Sequence, residues 1–340
     1  MSDIIRIGVI GAGRIGKLHA RTLSALVPGV KVTAISDLVP EAAGAVAAEC
    51  GIGRVAADHR DILADRDIDA VAICSSTDTH AGLIEEAAAA GKHIFCEKPI
   101  ALDLERIDRA LKAVADRRVL LMVGFNRRYD AGNARLREAV ASGRIGAPEL
   151  CLISSRDPAP PPLGYLKVSG GLFLDMMIHD FDLARFLLGD EPEEVFAFAG
   201  CLVDPEIGKI GDVDTAMAAI RFKKGAICHI DNSRRAVYGY DQRAEVFGSL
   251  GMAQTDHQYN DNTVLALASG FSRPPIKNFF LERYLPAYQE EGRVFAQCVR
   301  EGREPPAAGR DGRIAVAMGY AALKSAKEGR PVKMSEFPGC

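Results

Sequence analysis

Ile4-Ile5-Arg6-Ile7-Gly8-Val9-Ile10-Gly11-Ala12-Gly13-Arg14-Ile15-Gly16 decides the fold. An apolar run of strand length, Ile4 to Ile10, meets a G-x-G-x-x-G turn that opens a helix. The first glycine permits the tight turn, the second lets backbone approach a pyrophosphate, and the third lets helix and strand pack closely. Unpaired N–H groups and the helix dipole favour negative charge at such an N-terminus. Gly11, Ala12, Gly13, Arg14, Ile15 and Gly16 are therefore candidate dinucleotide contacts. An isolated match also fits a plain glycine turn, so the surroundings decide.

Working outward, apolar runs at Lys31 to Ser36, Ala70 to Cys74, His93 to Cys96 and Val119 to Val123 alternate with amphipathic stretches of helix length. Strands apolar on both faces and separated by helices predict a parallel sheet covered on each side, with right-handed crossovers. The first domain, residues 1–124, is read as a doubly wound α/β domain of Rossmann type.

After Gly124 a helix is expected over Asp130 to Ser142, then a proline-rich loop at Asp157-Pro158-Ala159-Pro160-Pro161-Pro162, then one helix from about Leu172 to Leu188. Runs at 194–203, 214–222, 226–233, 242–248 and 262–268, joined by turns such as Lys223-Lys224-Gly225 and Gly248-Ser249-Leu250-Gly251, predict a large, mostly antiparallel sheet. Residues 125–340 are thus an α+β domain. One sheet face is expected to pack against a second subunit. Two closing helices, about 283–300 and 310–327, have no evident strand partners.

Composition narrows the class. The chain has 340 residues, 48% of them hydrophobic, which suffices for two packed cores and excludes a disordered or fibrous protein. The net charge of −3 gives no basic field for nucleic acid or an anionic membrane, so a small molecule is the expected partner. Cys50, Cys74, Cys96, Cys151, Cys201, Cys228, Cys298 and Cys340 form no C-x-x-C pair and no zinc cluster, so no metal is expected and reduced thiols in the cytoplasm fit best. Met1-Ser2-Asp3-Ile4 leaves no room for a signal peptide, and no apolar run approaches the roughly 20 residues of a membrane span.

The second strand ends in Ile35-Ser36-Asp37, whose carboxylate can accept from a ribose 2′-hydroxyl and would repel a 2′-phosphate; this points to NAD over NADP. A helix N-cap near Pro40 is the other reading of Asp37. At the ends of later strands, Ser75, Thr77, His80, Glu97, Lys98 and Pro99 stand at the carboxyl edge where open α/β sheets bind ligands. Thr77 and His80 also suit helix capping. Lys98, held extended before a proline, can stabilise the oxygen of a substrate hydroxyl as hydride leaves.

In Gly170-Gly171-Leu172-Phe173-Leu174-Asp175-Met176-Met177-Ile178-His179-Asp180-Phe181-Asp182, a straight helix at about 100° per residue would bring Asp175, His179 and Asp182 within about 60° of one another. A carboxylate one turn before a histidine can orient the imidazole for proton abstraction, and a plain helix salt bridge has the same spacing.

Together these residues resemble the family of glucose-fructose oxidoreductase, inositol dehydrogenase and rhizopine catabolism proteins. The marks are Gly11 to Gly16, Glu97-Lys98-Pro99, Gly124-Phe125-Asn126-Arg127-Arg128-Tyr129-Asp130 and Asp175-x-x-x-His179. Within that family the chain looks most like inositol 2-dehydrogenases, through Ser155-Arg156-Asp157-Pro158, His179-Asp180-Phe181-Asp182 and Tyr238-Gly239-Tyr240-Asp241.

The resemblance implies a catalytic set of Lys98, Asp175 and His179, substrate contacts from Asn126, Arg127, Asp157 and Tyr238, NAD as cofactor, and a C-terminal helix returning to the first domain. It also implies a homo-oligomer, a tetramer ahead of a dimer. A Met often stands in the family where this chain has Asn126. Arg127 pairing with Asp130, and Tyr238 as a packing residue, are the structural alternatives.

The expectation is NAD-dependent oxidation of a ring hydroxyl of myo- or scyllo-inositol to an inosose. One alternative is oxidation of a glucose-like pyranose, L-glucose included, at C1 to a lactone. A non-catalytic NAD-binding sugar sensor is the remaining one.

Overall fold

The computed structural model describes residues 4–339; Met1 to Asp3 and the Cys340 thiol lie outside them. The chain divides into two compact units. The first runs to Tyr129 and takes in Pro286–Ile314; the second spans Asp130–Leu285 and continues from Ala315.

The first unit alternates β1 (Ile5–Ile10), α1 (Arg14–Ala25), β2 (Val30–Ser36), α2 (Pro40–Cys50), α3 (His59–Leu63), β3 (Ala70–Ile73), α4 (Thr77–Ala89), β4 (His93–Cys96), α5 (Leu104–Arg117) and β5 (Leu121–Val123). All five strands are parallel in the order β2-β1-β3-β4-β5. The order reverses beside β1, and the crevice beyond the carboxyl ends of β1 and β3 is where such sheets take ligands. Every residue of β3 and β5 is buried, as strands covered on both faces require. The closing segment belongs here too: the Val123 N–H donates to the Ala307 carbonyl at 2.8 Å, and Gly292 lies against Leu23 and Val27 of α1.

The second unit begins with α6 (Ala131–Ala141), β6 (Pro148–Arg156), α7 (Leu163–Ser169), α8 (Gly171–Asp175), α9 (Ile178–Leu188), β7 (Pro192–Gly200), α10 (Pro205–Lys209), β8 (Thr215–Phe222) and β9 (Ile227–Ser233). It continues with β10 (Asp241–Gly248), β11 (Gly251–Gln254), β12 (Leu265–Leu267) and β13 (Gly270–Ser272). Helix α11 (Phe280–Glu301), α12 (Gly309–Glu328) and β14 (Val332–Lys333) close the chain. The main sheet has seven strands in the order β11-β10-β6-β9-β8-β7-β14, antiparallel except for the β6–β9 pair.

Three expectations need correction. The run at 262–268 yields only β12, which pairs with β13 in a separate exposed hairpin and not with the main sheet. A central strand was instead passed over: β6 carries apolar side chains on both faces, with Cys151 and Ile153 buried and Leu150 and Leu152 exposed, so it shows no polar alternation. Finally, the helix expected over 172–188 is two helices. The Leu172 carbonyl accepts the N–H groups of both Met176 (3.0 Å) and Met177 (2.9 Å), a one-residue widening that ends α8 at Asp175.

No helix among the described residues is long and apolar enough to cross a membrane. The seven described cysteines are free thiols. In the second unit Phe181 is fully buried on α9 beneath the sheet. Phe181→Ala is expected to cost about 3 to 5 kcal/mol, read as a lower urea midpoint; an unchanged midpoint would contradict this packing.

Candidate active site

The glycine turn is shaped by what a side chain would strike. A Cβ on Gly11, whose φ is +102°, would lie 2.6 Å from backbone atoms of Cys74 and Ser75. A Cβ on Gly16 would lie 2.0 Å from the Gly11 carbonyl oxygen, so α1 can start this close to β1 only with glycine there. At Gly13, the residue preceding α1, a Cβ would meet no protein atom within 4 Å. Helix α1 has no side-chain cap and no acidic residue in its first turn. Its positive pole is thus open to an anion, as a pyrophosphate needs.

Asp37 is not the N-cap of α2, a place taken by Val39. Its carboxylate accepts the N–H of Ala12 at 2.6 Å and that of Val39 at 2.8 Å, fixing an acidic group against the glycine turn. Leu38 beside it is almost wholly exposed.

Lys98 and Pro99 are held from two sides. Glu97 is buried, with Oε1 at 2.6 Å from His19 Nε2 and Oε2 accepting the Lys98 N–H at 3.2 Å. On the other side His80 is 1% exposed, with Nδ1 at 2.8 Å from the Pro99 carbonyl oxygen and Nε2 at 3.1 Å from that of Ser75. Burial lowers the His80 pKa, while the hydrogen bonds to these two carbonyls pull in the opposite direction. His80 therefore ties the ends of β3 and β4 together, and Glu97 spends its carboxylate inside the protein. Ser75 Oγ pairs with Thr79 Oγ1 at 2.6 Å, and Thr77 opens α4 without a side-chain cap from Ser76. Asn126 and Arg127 lie buried on the 3-10 turn Asn126–Tyr129.

In the second unit the break after α8 decides what is presented. From Leu172 to Arg185 every residue is buried except Asp175 and His179. Asp182, expected on the same stripe, is 1% exposed, because the stripe of a straight helix does not survive the widened turn. Asp175 Oδ1 accepts the Tyr165 hydroxyl at 2.8 Å, and Oδ2 lies 3.5 Å from Nη2 of the buried Arg234. Asp180 points inward and accepts from Asn232 at 3.0 Å. Asp130 caps α6 and pairs with Arg283 at 2.5 Å.

The Asp157 N–H donates to Ser233 at 2.9 Å. Tyr238 donates to Asp241 at 2.6 Å and accepts from Arg156 at 3.1 Å, so its hydroxyl is engaged in a charged network. Burial would raise the pKa of Asp241, but the hydrogen bonds from Arg243 and Tyr238 outweigh it and hold the carboxyl below the usual range.

His19, Tyr165 and Arg234 escaped the sequence reading. Two carried a signal: His19 shares the buried face of α1 with Gly16 and Leu23, and Arg234 extends the inward series Cys228, Ile230, Asn232. A polar residue on a buried stripe needs a partner.

The glycine geometry separates two effects. Gly13→Ala is expected to fold normally and weaken dinucleotide binding about tenfold or more, because its methyl occupies the space a pyrophosphate needs. Gly16→Ala is expected to lower the melting temperature itself. Calorimetric titration with NAD beside thermal melting checks both; normal NAD affinity in Gly13→Ala would contradict the assignment of the turn.

Residues 5–125 match the oxidoreductase family with an NAD-binding Rossmann fold, and residues 133–254 match the GFO/IDH/MocA C-terminal domain. Myo-inositol 2-dehydrogenase of Thermotoga maritima is 49% identical over 335 residues, 98% of this chain and 100% of that protein. Inositol 2-dehydrogenase of Rhizobium meliloti is 47% identical over 331 residues, 97% of this chain and 99% of that one. The crystal structure of scyllo-inositol dehydrogenase from Lactobacillus casei with bound NAD(H) and scyllo-inositol superposes with a TM-score of 0.90 at 30% identity, covering 98% of this chain and 99% of that chain. With both halves matched and relatives aligned end to end, the chain belongs to the Gfo/Idh/MocA family of NAD-binding oxidoreductases.

Proposed function

We propose that this chain oxidises a secondary ring hydroxyl of an inositol, myo- or scyllo-inositol, to an inosose. The observation that carries the reading is the placement of Asp175 and His179 as the two half-buried positions in an otherwise buried stretch, in a chain whose end-to-end relatives include inositol dehydrogenases.

NAD is the cofactor; when bound, it accepts the hydride from the ring carbon. Gly11 to Gly16 would hold its pyrophosphate at the start of α1, with Asp37 at the adenosine ribose and Ser75 and Thr77 at the sheet edge. His80, Glu97 and Pro99 act at the cofactor side by fixing the loop that carries Lys98.

Lys98 Nζ donates a hydrogen bond to the hydroxyl oxygen and stabilises the charge it gains. The imidazole of His179 takes the hydroxyl proton as the carbon gives up its hydride, leaving a ketone. Asp175 stabilises the imidazolium so formed, and its own position is fixed by the Tyr165 hydroxyl. Asn126, Arg127 and Asp157 supply polar contacts for the remaining ring hydroxyls, with Tyr238 contributing from the Arg156–Asp241 network.

The outer sheet face of the second unit supports a homo-oligomer, a tetramer ahead of a dimer. Leu150, Leu152, Met217, Phe198, Ile227 and Phe247 stand exposed across adjacent strands there, an apolar area that subunit contact would cover. The soluble polyol substrate fits a cytoplasmic enzyme.

Purified protein with NAD is expected to reduce the cofactor with myo- or scyllo-inositol and far more slowly with D-glucose or L-glucose or with NADP. A lactone as product would replace the inositol reading by the pyranose one, and bound NAD without turnover on any polyol would leave a sensor. His179→Ala should lower kcat about 10² to 10⁴-fold; near-normal turnover in a folded variant would remove His179 from the mechanism. For the oligomer, Leu152→Glu should lower the mass measured by light scattering, and an unchanged mass would reject this face.

A further inference from the structure

Helix α8 is a single turn of five residues, Gly171–Asp175, that ends on one of the two half-buried polar positions of the proposed site. A helix this short leaves most of its N–H groups without an intrahelical acceptor and is not stable on its own. The residue before it, Gly170, has no side chain to cap it. Leu172, Phe173 and Leu174 are buried, and Leu174 packs beside Gly319 of α12, where a Cβ would come 2.5 Å from its Cδ2. Apolar packing of this kind is non-directional. It holds the turn in the core without fixing how far the turn is rotated.

A directional contact comes from elsewhere in the same unit. Asp212, 40 residues further on in the loop before β8, accepts the Leu172 N–H on Oδ1 at 2.9 Å. The same oxygen takes the N–H of Val213 at 2.8 Å. The Asp212 backbone is tied down in turn: its N–H donates to the Ile207 carbonyl at 3.2 Å, and its carbonyl accepts the Cys201 thiol at 3.2 Å. By contrast, Asp130 and Asp204 cap α6 and α10 locally, each from the residue just before its helix. Gly171 is the condition for the longer reach. Its φ is +79°, and a Cβ there would lie 2.5 Å from Asp212 Oδ1 and 3.0 Å from Cγ.

Leu172 thereby has both backbone groups committed, its N–H to Asp212 and its carbonyl to the Met176 and Met177 N–H groups of the widened turn. Asp175 and His179 stand on either side of that turn. We propose that Asp212 is a positioning residue: a cap supplied across the fold that sets where α8 begins and so where Asp175 and His179 are presented. The inference rests on the roles given to Asp175 and His179 above. It asks of Asp212 only an acceptor oxygen in the right place, so the amide of asparagine serves nearly as well as the carboxylate.

The test uses the full-length enzyme. Wild type must first oxidise an inositol with NAD; if it does not, the functional reading fails, and hydrogen exchange at Leu172 still reads the cap. Given that activity, Asp212→Ala is expected to lower kcat about 10- to 100-fold, the order of loss when a reacting group is displaced by about 1 Å. NAD affinity is expected to stay unchanged, because the glycine turn belongs to the other unit, and the inositol KM to move much less than kcat. Asp212→Asn, which keeps the acceptor oxygen, should recover most of the loss.

In a His179→Ala background Asp212→Ala should have little further effect on kcat, since the cap acts through the placement of that base. The Leu172 amide should exchange faster in Asp212→Ala, with exchange in β1 to β5 unchanged. A normal kcat in a folded Asp212→Ala protein, equal damage from Asn and Ala at position 212, losses that add to those of His179→Ala, or unchanged exchange at Leu172 would each overturn the proposal. Should Asp212→Ala fail to fold, Gly171→Ala approaches the contact from the other side. Its Cβ forces the carboxylate off Leu172, so kcat should fall with NAD affinity intact, and a normal kcat in that folded variant would overturn the proposal equally.

Discussion

Polar groups buried in an apolar interior are tolerated only with a partner, and the segments that carry the proposed chemistry are held by such partnerships. Asp37 is fastened to the amide of Ala12, Glu97 to His19, His80 to the carbonyls of Ser75 and Pro99, and Asp180 to Asn232. None of these bonds touches a reacting atom. The first three fix loops at the ends of strands and the fourth ties α9 to β9, so the proposed chemical groups are positioned by contacts one layer behind them.

The same constraint explains the break between α8 and α9. A continuous helix through Leu172 to Leu188 would hold Asp175, His179 and Asp182 on one stripe. The shared Leu172 carbonyl shifts the register by one residue, and Asp175 and His179 emerge as the exceptions to burial while Asp180 and Asp182 turn inward. The widened turn leaves Asp175 at the end of α8 and His179 in the first turn of α9, with Arg234 near Asp175. Widened turns of this kind recur at functional sites because they cost little and re-aim side chains.

Much of this was legible in the sequence. The parallel sheet followed from the glycine turn and from strands apolar on both faces; the hairpins at Lys223-Lys224-Gly225 and Gly248-Ser249-Leu250-Gly251 followed from turn chemistry. Strand β6 was not legible, because its exposed side chains Leu150 and Leu152 are as apolar as the buried ones. The helix break was hidden as well, since Met176 and Met177 carry no breaker signal. For the site, residues in local motifs could be named, whereas Arg234 and Tyr165 reach Asp175 from other elements and need the fold to find them. His80 was read as either a cofactor contact or a helix cap; both of its ring nitrogens lie against backbone carbonyls.

The account turns on hydride leaving a ring carbon for the nicotinamide while the hydroxyl proton goes to a protein base. The most direct measurement follows the isotope: myo-inositol deuterated on its ring carbons is turned over with NAD, and the reduced cofactor is analysed by mass spectrometry and NMR. The account predicts one deuterium on C4 of the nicotinamide for each inosose formed. Turnover that leaves the cofactor oxidised, or that releases the label to water, would contradict it.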